Sequence, residues 1–371
     1  MLTWINPTHI APQNEFRVCL AVLETHLESL VSAPSQRSGT LGKSQNRSPD
    51  SIWYLSLNSW RKRMVKSACY AMPTCYPIIQ IKPEWVLEQE TLGSKEKFWY
   101  RENNNASRWL FKFPEPNTGQ HWAEKIAAEI ADLMGILHAK VELAVFQEKR
   151  GSATQSFARD ARELWHGNQI LAGTVFGYSS EQRFRHSEHT LEHIFQALDA
   201  AILSEDGRRR AKQAISNYLV LDAVIGNTDR HHENWAILRK HVGERWLGWI
   251  APTFDHASSL GRELVDTANG KCRQRLLKEK RVGGYAEKGT GAIYFLGTEK
   301  KGPSPLELVR LALQRYPELF QPAISRVEQI SKVAIDEILT RMPSGWMTDI
   351  SIDFVREFLA YSISELLKLK K

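Results

Sequence analysis

The chain has 371 residues, 42% of them hydrophobic, and a formal net charge of +7, which suits a soluble globular protein of two or three domains. No apolar run reaches the ~20 residues that span a bilayer. Glu15, Glu24 and Glu28 interrupt any signal-peptide pattern, and Cys19, Cys69, Cys75 and Cys272 form no Cys-x-x-Cys pair, so a reducing cytoplasmic setting without disulfide framework or zinc ribbon is expected.

Taken in chain order, Phe16–Leu30 has the spacing of a short amphipathic helix. Ser32–Ser51 is rich in Ser, Gly, Pro, Asn and Gln and reads as a flexible linker. Residues 1–83 hold nine Lys/Arg against four Asp/Glu, which places most of the net positive charge here. Its densest part, Arg61-Lys-Arg63 with Lys66, lies near Trp53, Tyr54 and Trp60; such a cluster is a solvated face or a contact for nucleic acid or an acidic partner. Residues 1–75 are therefore read as a partly disordered extension of unknown function, residues 76–160 as a small β-rich lobe and residues 161–371 as a larger, mainly helical lobe. Pro77–Ile81 is the first predicted strand. Leu92-Gly-Ser-Lys-Glu-Lys-Phe-Trp-Tyr100 starts with a turn at Gly93 and Ser94, which serves either as a hairpin entry or as a loop whose backbone N–H groups approach an anion.

Arg108–Pro114 reads as a strand with Lys112 inside it, and Gln120–Ile136 as a helix with Ile126, Ile130, Leu133 and Leu137 on one stripe. Val141–Phe146 and Ala153–Phe157 are strands around a Lys-Arg-Gly turn, with a hinge near Ser156–Asp160. Leu164–Gly177 and a helix over His189–Ala200 start the second lobe. Ala214–Ile225 is helical, with Asp222 among its apolar positions, and Gly226-Asn227 ends it. The loop that follows holds Asp229 and, five residues on, Asn234. Trp235–Leu238 and Trp246–Ala251 then form a hairpin with a long polar loop, and Asp255 lies just beyond it. An Asp-x4-Asn pair with a later Asp is what phosphoryl transfer from ATP needs: one carboxylate for the acceptor hydroxyl, and an amide oxygen and a second carboxylate for Mg²⁺. A zinc hydrolase built on His231, His232 and the nearby carboxylates is the competing chemistry. The basic, glycine-rich Lys271–Gly302 stretch reads as a mobile loop on the substrate side. Pro305–Tyr316, Gln321–Arg341 and Ile352–Leu367 read as packing helices.

Ile225-Gly-Asn-Thr-Asp-Arg-His-His-Glu-Asn234, with Phe254-Asp255, resembles the HipA-like kinases, bacterial Ser/Thr kinases distantly similar to the phosphatidylinositol 3/4-kinases. The resemblance implies an α+β, bilobal protein-kinase-like fold and dependence on ATP and Mg²⁺. It makes Asp229 the catalytic carboxylate and Asn234 and Asp255 the metal ligands, and His231, two residues after Asp229, braces the loop. Lys112 would grip the nucleotide phosphates, held by Glu124, with Glu129 as the second choice. Gly93, Ser94 and Lys97 would form the phosphate loop, although Lys95 stands where the family has Gln and Ala123 where it has Asn. Family members autophosphorylate a Ser in this loop, a region that here contains Glu90 and Thr91. The implied acceptor is a Ser/Thr hydroxyl of a protein, an aminoacyl-tRNA synthetase in toxin members, whose partner is a DNA-binding antitoxin. A lipid or small-molecule kinase of the same fold and a pseudokinase binding module are the alternatives; joint retention of Lys112, Asp229, Asn234 and Asp255 weighs against the latter.

Overall fold

The computed structural model describes residues 74–90, 96–103, 107–158, 162–183 and 185–370. The helix, linker and basic cluster expected before residue 74 lie outside them, as do Gly93, Ser94 and the end of the expected hinge. The fold is α+β, with a curled sheet first and a mainly helical portion after it.

Six strands build the first sheet: β1 (Ile78–Ile81), β2 (Val86–Gln89), β3 (Lys97–Tyr100), β4 (Trp109–Lys112), β5 (Val141–Phe146) and β6 (Lys149–Gln155). Their spatial order is β1-β5-β6-β4-β3-β2, and only β1 and β5 run parallel. Side chains alternate between the faces of a strand. Phe98, Tyr100, Trp109 and Phe111 thus share one face with Ile81, Ala144 and Ala153 in a small core. Phe98, Phe111, Phe113 and Phe146 meet there at ring separations of 4.7–6.4 Å. Lys97, Trp99, Leu110 and Lys112 are left for the opposite face. Helix α1 (Gln120–Leu133) buries Ala123, Ile126, Ala127 and Ile130 in a core that also holds Leu143 of β5. Leu137, expected on that stripe, lies past the helix end and is 64% exposed.

The turn between β5 and β6 differs from expectation. It falls at Gln147-Glu148, both with positive φ (46° and 65°), and Phe146 pairs with Lys149. This is the two-residue primed turn that matches strand twist, here without the usual Asn-Gly signature. Gly151, expected in the turn, lies in the strand, because a Cβ there would sit 2.4 Å from the Lys112 carbonyl and 2.5 Å from the Phe111 ring.

A second sheet of β7 (Glu163–His166), β8 (Ala236–Val242) and β9 (Arg245–Ile250) carries the expected hairpin. Its loop is short: Val242 pairs with Arg245, and Gly243 takes φ +60°, the glycine-first turn that closes a two-residue hairpin. The charged residues thought to form a long loop instead extend the strands.

The helical portion comprises α2 (Gly167–Thr174), α3 (Leu191–Ala201), α4 (Glu205–Ile225), α5 (Arg273–Lys278), α6 (Val282–Glu287), α7 (Pro305–Arg315), α8 (Pro317–Ser325), α9 (Lys332–Thr340) and α10 (Asp349–Leu367). Two expectations are corrected here. The Lys271–Gly302 stretch contains α5 and α6, anchored by buried Leu276, Val282 and Ala286, and is not one loop. Gln321–Arg341 is divided into α8 and α9 by a 3-10 turn at Arg326–Gln329. Helix α4 is capped by Ser204, whose side chain accepts from Gly207 N, and is buried almost throughout its C-terminal half. Helix α10 backs the region around it, with Phe358 against Gly226 and Phe354 against Gly261. Tyr76 N donates to Arg341 O at 2.8 Å, which ties the segment before β1 to the end of α9.

Candidate active site

Helix α4 sets the position of the loop that follows it. It stops at Gly226 in the left-handed conformation (φ +66°), where a Cβ would lie 2.4 Å from the Phe358 ring. One turn before that stop, Asp222 is buried among apolar neighbours. A carboxylate there requires a counter-charge, and Arg230 supplies it through two hydrogen bonds of 2.7 Å. The same guanidinium donates to Asn234 O at 2.7 Å and to Phe254 O at 3.3 Å. One buried cation thus joins the helix, both ends of the loop and the residue preceding Asp255.

Within the loop, Asn227 donates to Asp222 Oδ1 at 2.8 Å and accepts from Asp229 N at 3.2 Å. Asn234 donates its amide to Asp229 O at 2.7 Å, which leaves its side-chain oxygen as an acceptor. Asp229 takes a hydrogen bond from Ser258 Oγ at 3.3 Å. Asp255 adopts φ +57°, a left-handed state uncommon outside glycine but several-fold enriched for Asp. The backbone around it is pinned by Ala139 N to Thr253 O (2.8 Å) and Thr253 N to Leu137 O (3.0 Å), with Thr253 Oγ1 2.8 Å from His256 Nε2.

Lys112 bridges the two portions. Its Nζ lies 3.2 Å from Glu124 Oε1 on α1 and 3.1 Å from Asp255 Oδ1. Ser152 Oγ, on the neighbouring strand, donates to Glu124 Oε2 at 2.7 Å. Burial pushes the Lys112 ammonium toward neutrality, but the Asp255 and Glu124 carboxylates outweigh it and hold the pKa above the usual lysine range. Glu129, the second choice, pairs with Lys125 at 2.8 Å. Lys97 stands directly opposite Lys112 across β3 and β4, and both line the cleft.

The histidine pair diverges. The His231 and His232 rings are 6.2 Å apart at 85°. His231 Nδ1 accepts from Glu233 N at 3.2 Å, and burial lowers its pKa to about 4 despite Asp255 and Glu233. His232 Nδ1 is 2.8 Å from Tyr178 Oη, and burial lowers its pKa to about 4 as well. Among the described residues no three His, Cys, Asp or Glu side chains are grouped to hold a metal ion, and the two imidazoles have separate partners and do not share one site. The oxygen donors Asp255 and Asn234 instead suit a hard cation.

Lys97, Lys112, Asp229, His231, Asn234 and Asp255 all line one cleft of about 380 Å³. Apolar side chains of Leu110, Phe157, Leu164 and Phe254 also line it, with the two phenyl rings 5.4 Å apart. Glu124 lies behind Lys112. Sequence reasoning missed Arg230 and Ser152. The buried Asp222 was a usable signal for Arg230, whereas nothing local marks Ser152.

The sheet, the bridging lysine and the helical portion define a kinase-type phosphotransferase fold. Residues 89–294, more than half of the chain, match the HipA-like C-terminal domain, and the chain belongs to that family. The structure is similar to the Helicobacter pylori proinflammatory kinase CtkA, with a TM-score of 0.63 and 20% identity over 79% of this chain and 96% of that one. It is also similar to Shewanella oneidensis MR-1 HipA, solved with HipB and its operator DNA, with a TM-score of 0.50 and 13% identity over 90% of this chain and 74% of that one. At these identities the likeness is one of fold. No curated protein matches the chain.

Proposed function

We propose that the protein is an ATP- and Mg²⁺-dependent kinase that phosphorylates a Ser or Thr hydroxyl of a protein. The observation that carries this reading is Lys112, held between Glu124 and Asp255 in a cleft also lined by Asp229 and Asn234. Lys97 and Lys112 face each other across β3 and β4 and both line the cleft, so their ammonium groups can receive an anionic occupant. Nucleotide phosphates fit these ammonium groups, and the apolar side chains of Leu110, Phe157, Leu164 and Phe254 suit a base. Asp255 and Asn234 would hold Mg²⁺, which neutralises charge on the phosphates when bound. Lys112 orients the phosphate chain, and Asp229 orients the acceptor hydroxyl and receives its proton.

The Shewanella relative was solved with HipB and its operator. By extension, this protein acts in the cytoplasm as a growth-inhibiting toxin restrained by an antitoxin partner. Incubation of purified protein with γ-labelled ATP, Mg²⁺ and cell lysate tests the activity. Label on Ser or Thr of a lysate protein is expected with wild type and absent with Asp229→Asn; label in neither sinks the proposal.

A further inference from the structure

We infer that the acceptor approaches Asp229 along a basic trough on the helical portion, and that this trough binds an acidic peptide segment. The inference rests on the kinase reading above. A second cavity, of about 270 Å³, begins beside Asp229: Thr228 lines it, as does Ser258, the residue that donates to the Asp229 carboxylate. A third, of about 330 Å³, continues it, and the two share Lys271, Tyr285 and Lys288. None of their lining residues belongs to the nucleotide cleft, so Asp229 stands between one cavity suited to a donor and another open to an acceptor.

The charge of the trough selects its occupant. Lys271 and Lys288 line the first hollow with Arg262, which pairs with Glu115 at 3.4 Å; the one carboxylate in the lining, Glu263, accepts from Tyr285 Oη at 2.5 Å. Lys271 lies over the Tyr285 ring at 4.3 Å, and among the described residues no carboxylate pairs with it or with Lys288. The outer hollow adds Arg275 and Arg281, which share one partner, Glu279, at 2.7 and 3.0 Å. A Ser- or Thr-bearing segment flanked by Asp or Glu therefore matches the trough in charge and brings its hydroxyl to Asp229.

Fluorescent peptides with one Ser flanked by Glu, Gln or Lys, titrated against the full-length protein with Mg-ADP, test this. The Glu peptide should bind at least about tenfold more tightly than the Gln peptide, with an advantage that shrinks as salt is raised. The Lys271→Glu/Lys288→Glu variant should lose that advantage and gain affinity for the Lys peptide, while Mg-ATP still stabilises it against heat. Equal affinity for the Glu and Gln peptides, or an unaltered preference in the variant, overturns the trough. So does an RNA oligonucleotide that binds more tightly than the Glu peptide and is lost in the same variant. The titration needs no phosphoryl transfer, so absence of Mg-ATP stabilisation in wild type sinks only the kinase reading.

Discussion

Lys112 shows how one residue type, placed on the buried face of a strand, decides what a cleft can do. Its ammonium neutralises Glu124, which is almost fully buried beside Ser152. Lys112→Met should therefore destabilise the fold by about 3–5 kcal/mol in urea unfolding, because a buried carboxylate loses its counter-ion; Lys112→Met/Glu124→Gln should recover part of that. Neither variant should be stabilised by Mg-ATP, whereas wild type at 100 times its Kd should gain about 2.7 kcal/mol. An equal gain in Lys112→Met would remove the lysine from the nucleotide site. Asp229→Asn should keep the gain while transfer falls by about 10²–10⁴-fold. Asp255→Asn should lose both, since it carries the carboxylate assigned to the cation. The positions of Lys112 and Glu124 were legible because a lysine inside an aromatic strand and a glutamate one turn into the next helix are both local patterns. Ser152 was not, because its role depends on strand pairing that brings β6 beside β4.

At the scale of elements, the loop that carries Asp229 is tied to helix α4 through Asp222 and to the residues flanking the β8–β9 hairpin through Asn234 O and Phe254 O. Arg230 couples the two, and its removal strands Asp222 in the core. Arg230→Met should cost about 3–5 kcal/mol, and Asp222→Leu/Arg230→Met should restore most of it while leaving transfer low. Full recovery of transfer in the double variant would mean that the arginine positions nothing. Gly151→Ala forces a Cβ against the Lys112 carbonyl and the Phe111 ring. It should cost about 1–3 kcal/mol by overpacking and weaken Mg-ATP binding, because the strand it displaces carries Lys112. The helix and the two strands that follow the loop could be read from periodicity, and the glycine stop from its place after the last apolar position. The turns could not: Gln147-Glu148 carries no glycine to announce its positive φ, and the glycine that suggested a turn nearby, Gly151, serves close packing within a strand.

Over the whole molecule, buried histidines set the acid limit. Burial lowers His189 to about 3 and His232 to about 4, and carries His256 well below its ordinary 6.5. Below about 6.5 the unfolded chain takes up protons that the folded one refuses, so stability falls as pH drops toward 4 and is level in this respect above 6.5. Each such histidine adds about 1.4 kcal/mol per pH unit within that window. Tm should thus decline steeply below pH 6, and less so in His189→Gln/His232→Gln; equal slopes would assign the acid sensitivity to other groups. The backing of the catalytic region by α10 has a consequence in time. Phe358, which seats Gly226, follows Asp255 by 103 residues. At ~5–20 residues per second of synthesis, that separation corresponds to ~5–20 s. Throughout that interval the residues assigned to the cleft have already been made, whereas the ring that packs against Gly226 has not. A chain cut before α10 should accordingly show no stabilisation by Mg-ATP, although α10 places no residue in the cleft lining.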